Sequence, residues 1–278
     1  MDLGLDGRVY LVTGGSRGLG FAAAQALVAD GARVVLSAPH EGTASSAVAR
    51  LAQNAAAAEP AAWVIADNAD PATPGRLIAA ARDRFGRLDG ALISVGGSPS
   101  GTVATTTDEE WRSAFESVFL GAVRLARILA ADLGGAGDGR PAGGSVTRAG
   151  GSVTGVGGSI VFVLASSVRV PLVELAISNG LFPGLAGVVK TLAGELGPAG
   201  IRVNGLLPVR IATDRVRELD ALQGDPDEVR ARLSEHIPLR RYGEPEEFGR
   251  AAAFVLSPAA SYITGAMIPV DGGAISSI

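Results

Sequence analysis

The sequence predicts an α/β fold built on a doubly wound parallel sheet. Short apolar segments rich in β-branched residues alternate with longer helical segments, which is typical of repeated strand–helix–strand units. The first segment, RVYLV at 8–12, leads directly into a glycine-rich turn at 13–20 and an alanine-rich helix at 21–29. The chain has 278 residues and can bury one large core, so we expect a single domain over 1–278.

The remaining elements continue this alternation, and their ends carry residues that favour turns or helix termini. Further strands are predicted at 33–37, 62–66, 88–95, 159–165, 201–207 and 266–270. Helices are predicted at about 43–57, 70–85, 107–133, 213–236 and 245–256, and one more ends near 197–198. Thr107 and Glu110 have the spacing of a capping box at the start of the long helix.

Residues 134–158 interrupt the pattern. This stretch is rich in Gly, Ser and Thr, and GGSVTRA at 143–149 is followed by GGSVTGV at 150–156. Such a composition buries too little apolar surface to order itself, so it predicts a flexible surface insertion. A lid over a binding site is the alternative interpretation.

Composition excludes several classes of protein. With 47% hydrophobic residues and a net charge of −4, the chain is expected to be ordered and lacks a basic surface for nucleic acid or anionic membrane. It has no cysteine, and its two histidines are His40 and His236, which argues against disulfides and metal sites. No apolar run approaches the ~20 residues of a membrane span, and no signal peptide is recognised. We expect a cytoplasmic protein that acts on a small molecule.

The turn TGGSRGLG at 13–20 has the features of a phosphate site. Free backbone N–H groups and the positive end of a helix attract an anion, and glycines allow the backbone to approach a pyrophosphate. The predicted cofactor-binding residues of this turn are Gly14, Ser16, Arg17, Gly18, Leu19 and Gly20.

The end of the second strand bears on the choice of dinucleotide. An acidic residue about twenty positions past the glycines binds the ribose 2′-hydroxyl of NAD. Here the strand ends Ser37-Ala38-Pro39-His40, with no acid. Arg17, together with His40, is suited to a 2′-phosphate, so NADP(H) is favoured over NAD(H).

Separated segments of the chain, in the right order, resemble the short-chain dehydrogenase/reductase family. They are TGGSRGLG at 13–20, GIRVNGLLP at 200–208 and the stretch 240–273 from RRYGEPEEFG to VDGG. The resemblance implies a seven-stranded Rossmann sheet in the order 3-2-1-4-5-6-7, homodimers or homotetramers, and an NAD(P)-dependent carbonyl or alcohol reaction. It adds Asp67, Asn68, Gly96 and Thr213 to the expected cofactor-binding residues.

The catalytic residues that the family uses are mostly replaced. Of its Asn, Ser, Tyr and Lys, the chain keeps the serine as Ser167, while Val118, Ser178 and Phe182 stand at the other three positions. The resemblance therefore implies a divergent member without the YxxxK motif. A serine hydroxyl is too weak an acid to replace a lysine-activated tyrosine in protonating an alkoxide, a step worth ~10²–10⁴ in rate. Phe182, Val118 and Val209 are expected to line the substrate pocket.

Three other residues are candidates for the missing chemistry. Glu174 is a proton donor if apolar neighbours raise its pKa, or otherwise a solvated loop carboxylate. His236 is a general acid or base, or a surface histidine. Arg210 is a clamp for a substrate oxyanion, or a partner of Asp214.

The altered helix around Ser178 carries a prediction of its own. Ser178 and Asn179 are favoured helix caps, and Pro183 is accepted only near a helix start. We therefore expect regular helix to begin near Asn179 or Gly180, or to kink at Pro183, leaving Phe182 as an apolar wall beside the nicotinamide site.

Three functions follow as hypotheses. The first is an enzyme of small-molecule metabolism with this fold that works without the Tyr-Lys relay, through redox or non-redox chemistry, with its cofactor kept, weakly held or vestigial. The second is an NADPH-dependent reductase with Glu174, His236 or water as its proton donor. The third is a non-catalytic nucleotide-binding or scaffold protein.

Overall fold

A computed structural model describes residues 2–53, 55, 57–135, 146–148, 151–153 and 157–277. The predicted insertion at 134–158 lies largely outside these residues, so its flexibility stays a prediction. Two three-residue strands of the insertion, at 146–148 and 151–153, are described and pair antiparallel.

The main sheet is the predicted one. The strands are β1 (Val9–Val12), β2 (Arg33–Ala38), β3 (Ala61–Ile65), β4 (Gly90–Ser94), β5 (Val146–Arg148), β6 (Gly151–Val153), β7 (Gly158–Val163), β8 (Ile201–Pro208) and β9 (Met267–Val270). Seven of them form a parallel sheet in the order β3-β2-β1-β4-β7-β8-β9. Counted over its own seven strands, this is the order 3-2-1-4-5-6-7, which confirms the predicted fold class.

The helices cover both faces of the sheet. They are α1 (Gly18–Ala29), α2 (Glu41–Ala52), α3 (Thr73–Phe85), α4 (Asp108–Ala114), α5 (Gly121–Leu133), α6 (Ala176–Leu196), α7 (Asp214–Ala221), α8 (Pro226–Ser234) and α9 (Pro245–Leu256). Among the described residues, none of them combines the length and apolarity that a membrane crossing requires.

Alternate residues of each strand feed two separate cores. Val9 and Leu11 of β1 point into the core beneath α5 and α6, whereas Tyr10 and Val12 point into the core beneath α1 and α9. This alternation follows from the period of two in a strand. Helices α1 and α9 approach so closely that a Cβ on Gly249 would overlap the backbone of Ala22.

Several predicted helix boundaries are wrong. The second helix spans 41–52 rather than 43–57, the third begins at 73 rather than 70, and the region 213–236 forms two helices, α7 and α8. The long helix after Thr107 is interrupted by a π-helical turn at Phe115–Leu120 between α4 and α5. The capping box is confirmed: Glu110 N donates to Thr107 Oγ1 at 3.2 Å, and Thr107 N donates to Glu110 Oε2 at 2.7 Å.

Helix α6 begins earlier than the sequence predicted. It starts at Ala176 and continues through Pro183. Its first turn is held by the loop after β4, because Ala176 N donates to Gly101 O at 3.0 Å while Gly101 N donates to Glu174 O at 2.7 Å. Asn179 does not cap the helix; its side chain pairs with both the N–H and the carbonyl of Leu172 at 2.9 and 2.7 Å. The contacts of Gly101, which is distant in sequence, explain the early start.

Candidate functional site

The glycine-rich turn is tied to the strands on either side of β1. Gly14 N donates to Ser37 Oγ at 3.3 Å, and Gly15 N donates to Ser37 O at 3.1 Å. On the other side, Thr13 Oγ1 donates to Ser94 O and accepts from Ser94 N, each at 2.8 Å. The turn is therefore held at the carboxyl end of the sheet, where ligands of open α/β sheets bind.

Two glycines of this turn have a clear structural requirement. Gly14 has φ +60°, in the left-handed region, and is exposed. A Cβ on Gly20 would overlap the carbonyl oxygen of Gly14. The backbone of Gly20 therefore packs directly against that of Gly14, while Gly14 itself stays exposed to solvent.

The start of α1 is suited to an anion. Arg17 precedes the helix in an extended conformation and does not cap it with its own side chain, and no acidic residue lies in the first turn. The first N–H groups of a helix have no intrahelical acceptor, so those of Gly18, Leu19 and Gly20 are open to a ligand. These features fit the pyrophosphate of a dinucleotide.

Arg17 and His40 are the residues predicted to bind a 2′-phosphate. Arg17 is exposed, and its guanidinium has no hydrogen-bond or ion-pair partner among the described residues. His40 is also exposed and precedes α2, where its carbonyl accepts from Thr43 Oγ1 at 2.9 Å. Their roles toward a 2′-phosphate stay predictions.

The other predicted cofactor residues lie at the strand ends and at α7. Asp67 Oδ1 accepts from Ala69 N at 2.9 Å, and Asn68 Nδ2 donates to Ser94 O at 3.4 Å. Gly96 is exposed with φ +77°. Thr213 Oγ1 accepts from Val216 N at 3.4 Å as the cap of α7, and its methyl carbon lies 3.8 Å from the Cβ position of Gly18. Helix α7 therefore begins beside the glycine-rich turn.

Three serines meet where β4, β7 and α6 come together. The hydroxyls of Ser98 and Ser178 lie 2.7 Å apart, and Ser167 Oγ donates to Ser178 O at 3.4 Å. All three are buried, with 3 to 7% of each residue exposed. Ser178 uses its hydroxyl on Ser98 and does not cap the helix, which corrects that expectation. Ser98 was not predicted from the sequence.

Phe182 does not form an exposed wall. It is 5% exposed and packs in the core beneath α6, so the expectation that it stands open beside the nicotinamide site is wrong. Gly180 and Gly184 occupy another side of α6, where a Cβ would lie 2.8 Å from the Trp111 ring and 2.9 Å from the Phe119 ring. The glycines admit the aromatic rings of α4 and the π-helical turn.

A pocket of about 390 Å³ opens beside Ser98, between the loop after β4 and the helix and π-helical turn at 108–120. Val118, in the π-helical turn, contributes to its wall, as does Ser98. A volume of this size suits a small molecule. The remaining lining residues are Gly97, Pro99, Glu109, Glu110, Ser113, Ala114 and Ser117.

Comparison with known proteins places this arrangement in a family. A family model described as Enoyl-(Acyl carrier protein) reductase matches residues 14–146 and 145–274. An uncharacterised oxidoreductase of Mycobacterium tuberculosis is 35% identical over 268 residues, covering 95% of this chain and 89% of the relative. The chain belongs to the short-chain dehydrogenase/reductase family.

Other members of the family are similar over the same length. The short-chain reductase protein NovJ of Streptomyces niveus is 30% identical over 266 residues, covering 95% of this chain and 93% of the relative. The structure of L-sorbose reductase from Gluconobacter frateurii, complexed with NADPH and L-sorbose, matches with a TM-score of 0.86 at 28% identity over the full length of both chains.

In this short-chain dehydrogenase/reductase, two of the candidate proton donors face solvent. Glu174 is exposed, and φ of +57° places it in the left-handed region. His236 is exposed beyond the end of α8, with Nδ1 3.2 Å from Arg232 O. Neither makes a side-chain contact with the serine cluster among the described residues.

Arg210 has a partner other than the predicted one. It pairs with Asp220 at 2.6 Å rather than with Asp214. Tyr242 donates to the second oxygen of Asp220 at 3.0 Å, and burial raises the pKa of this tyrosine. Through this ion pair Arg210 fixes α7 to the end of β8.

Val209, predicted to line the substrate pocket, is half-buried, and its N–H donates to Val270 O at 3.2 Å.

Two residues missed by the sequence reasoning complete the site. Ser98 follows Gly96 and Gly97 after a strand end, a position that predicts a ligand loop but not a hydroxyl contact. Arg215 of α7 donates through Nη2 to Ser98 O at 3.2 Å. Nothing in the local pattern predicts that contact, since 117 residues separate the two.

Proposed function

We propose that the chain is an enzyme of small-molecule metabolism that binds NADP(H) and acts on a carbonyl or hydroxyl group without a Tyr-Lys relay. The observation that carries the proposal is the Ser98–Ser178 hydroxyl pair, 2.7 Å apart. The family resemblance implies that Ser178 stands at the position of the family's tyrosine. The resemblance likewise implies that Phe182 stands at the lysine position, and this buried phenyl ring provides no donor for a ribose.

The cofactor part of the proposal rests on the glycine-rich turn. The uncapped start of α1 would hold the pyrophosphate, and Arg17 with His40 would hold a 2′-phosphate. Asp67, Asn68, Gly96 and Thr213 would contact the adenosine and nicotinamide ends. When bound, NADP(H) would supply or accept a hydride. The presence of NADPH in the L-sorbose reductase structure supports this choice.

The absence of the relay residues limits the chemistry. Ser167 and Ser178 can donate hydrogen bonds to a substrate oxygen, yet a serine gives up its proton far less readily than an activated tyrosine. Loss of the lysine contacts weakens nicotinamide placement by ~1.5–3 kcal/mol for each charged hydrogen bond. We therefore propose slow hydride transfer, or a non-redox proton transfer, dehydration or ring closure on an oxygenated substrate.

The second candidate function is an NADPH-dependent ketoreductase with an unusual proton donor. The pocket of about 390 Å³ supports a small ketone as its substrate. The enzyme's proton donor would be Glu174, His236 or water, and we propose water because Glu174 and His236 are both exposed. A non-catalytic nucleotide-binding protein is the third candidate, and a homodimer or homotetramer remains the expected assembly.

Fluorescence titration with NADPH and NADH, followed by turnover assays on ketones and alcohols, tests these candidates. Tight NADPH binding with reduction of a ketone supports the ketoreductase. NADPH binding without reduction of a ketone, together with conversion of a co-purified oxygenated metabolite identified by mass spectrometry, supports the relay-free enzyme. Binding without turnover of any such compound supports the non-catalytic protein, and no dinucleotide binding overturns the cofactor assignment.

A further inference from the structure

Arg215 crosses from α7 to the loop after β4. Its Nη2 donates to Ser98 O at 3.2 Å, and a Cβ on Gly97 would lie 3.1 Å from its Nε and 3.5 Å from its Nη2. Because Gly97 has no side chain, the guanidinium lies directly against the backbone of this loop. The arginine therefore has a defined position before any ligand binds.

This guanidinium keeps donors that the described residues do not use. A guanidinium carries five N–H donors. Besides Ser98, the described partner of Arg215 is Glu218, whose Oε2 lies 3.5 Å from Nη1. The two side chains are 46 and 56% exposed, and an exposed pair of this length contributes little stability. The remaining N–H groups are available to an anion.

The position of Arg215 places its charge beside the expected meeting point of cofactor and substrate. Thr213 and Gly96, both predicted to contact the cofactor, lie two residues before Arg215 and one residue before Gly97. Helix α7 begins beside the glycine-rich turn, since the Thr213 methyl carbon lies 3.8 Å from the Cβ position of Gly18. Arg215 contacts the loop after β4 rather than that turn. Its charge is thus separate from the N–H groups expected to hold the diphosphate.

Neighbouring carboxylates limit the charge of an anion that can bind here. The pocket of about 390 Å³, which Ser98 lines, also has Glu109 and Glu110 in its wall. Glu110 Oε2 accepts from Thr107 N and Oγ1 at 2.7 and 3.0 Å, and Glu109 lies 4.0 Å from Arg112. These carboxylates would repel a group of high negative charge, whereas a single carboxylate matches one guanidinium. The arrangement therefore favours a carboxylate over a phosphorylated group.

We propose that Arg215 binds a carboxylate of the substrate, and that the enzyme acts on an oxo acid or a hydroxy acid rather than on a neutral ketone or alcohol. The contact is a pair of charge-assisted N–H···O bonds, because the planar guanidinium matches both oxygens of a carboxylate. The bond to Ser98 O orients the guanidinium in advance, which lowers the cost of ordering it on binding. This inference rests on the proposed function, because it names the substrate class of the same crevice.

The test measures binding of oxo acids, each paired with its uncharged methyl ester. Levulinate and 4-oxocyclohexanecarboxylate with their methyl esters are the probes, and ligand-observed NMR gives the affinities with and without NADPH. Charge-assisted hydrogen bonds should favour each acid over its ester by about tenfold or more. Arg215→Met should remove most of this preference and leave the affinity for the esters unchanged.

Three further variants make the comparison specific. Arg217→Met, on the same helix but paired with the exposed Asp227, should bind the acids as the wild type does. Arg215→Lys keeps the charge and loses the planar geometry, so its preference for acids should lie between those of the wild type and Arg215→Met. Glu218→Gln removes the competing carboxylate and should strengthen acid binding by up to about fivefold.

The outcomes separate this inference from the proposed function. Equal affinity of the wild type for each acid and its ester overturns the carboxylate site, as do equal losses for both in Arg215→Met. A loss of NADPH affinity of about tenfold in Arg215→Met, with the preference for acids intact, assigns the arginine to the diphosphate and also overturns it. Acid binding that depends on Arg215, without NADPH binding or turnover of any oxygenated compound, overturns the proposed function and leaves the carboxylate site standing.

Discussion

Arg210 and Asp220 form an ion pair at 2.6 Å in which only 3% of the aspartate side chain is exposed. Tyr242 donates to the second carboxylate oxygen at 3.0 Å. The three residues join the segment after β8, helix α7 and the segment before α9. Because α7 also carries Arg215, this buried pair supports the helix that holds the serine pair in place.

Replacing Arg210 by methionine is expected to lower the free energy of unfolding by about 3 kcal/mol, because it leaves a buried carboxylate without its cation. Urea denaturation followed by circular dichroism measures the change. Arg217→Met is the control, since its pair with Asp227 is 64 and 76% exposed and is worth at most ~1 kcal/mol. Equal small losses in both variants would show that the Arg210 pair contributes no more than a surface pair.

The lowered pKa of Glu247 predicts that the protein loses part of its stability in acid. Two hydrogen bonds from Arg241, at 2.7 Å each, and one from the Glu244 N–H lower the pKa of Glu247 to about 2. An unfolded glutamate has a pKa near ~4.3, so below that pH the unfolded state binds more protons. The stabilisation is present above pH ~4.3 and is lost as the pH falls toward about 2.

Melting temperatures from pH 7 to 3 check this prediction. The advantage of the wild type over Glu247→Gln should shrink across the interval from pH ~4.5 to 3, and its size should stay under ~1 kcal/mol because the pair is exposed. Glu246→Gln, at an exposed neighbour outside this network, should show no such trend. A constant difference between wild type and Glu247→Gln at all pH values would contradict the assignment.

Gly20→Ala is expected to disrupt the glycine-rich turn, because the added Cβ overlaps the carbonyl oxygen of Gly14. We expect loss of stability by ~1–3 kcal/mol and at least tenfold weaker NADPH binding. Thermal unfolding and fluorescence titration measure the two effects. In Gly42→Ala of α2 the new methyl group meets nothing within 4 Å, so this control should be as stable as the wild type or slightly more so. NADPH affinity unchanged in Gly20→Ala would remove the turn from the cofactor site.

Alanine substitutions at two glycines of α6 should change the free energy of unfolding in opposite directions, depending on which atoms lie next to each glycine. In Gly180→Ala the Cβ would lie 2.8 Å from the Trp111 ring, so this ring must move and we expect a loss of ~1–2 kcal/mol. Gly187→Ala meets nothing within 4 Å and should gain ~0.5–1 kcal/mol from helix propensity. Denaturant midpoints of the two variants provide the measurement. A gain in both would mean that α4 and α6 are not closely packed.

Arg17→Ala should lower affinity for NADPH about tenfold more than affinity for NADH, because a guanidinium bound to the 2′-phosphate is lost only with NADPH. Parallel titrations of both dinucleotides provide the comparison, with Arg84→Ala as an exposed control whose partner is Glu59. A uniform loss for both dinucleotides would assign Arg17 to the pyrophosphate alone.

The sequence by itself determined the elements of the sheet and the glycine-rich turn. Strands such as β1 are short and apolar throughout, and the turn at 13–20 needs glycine at positions where the backbone is left-handed or closely packed, as at Gly14 and Gly20. These are local requirements, so they are legible in a few consecutive residues. The order of the strands came from the family resemblance, since local patterns do not specify which strands are neighbours.

Tertiary structure alone decided which side chains meet at the site. Ser98 and Ser178 are 80 residues apart in sequence, and their contact depends on the packing of the loop after β4 against α6. The same packing starts α6 at Ala176, because Gly101 supplies the acceptor for its first turn. Arg210 pairs with Asp220 rather than with Asp214 because the fold, not the spacing in sequence, brings those two side chains together. Hydrogen bonds and ion pairs form between whatever groups the fold brings together, and sequence spacing does not encode those distances.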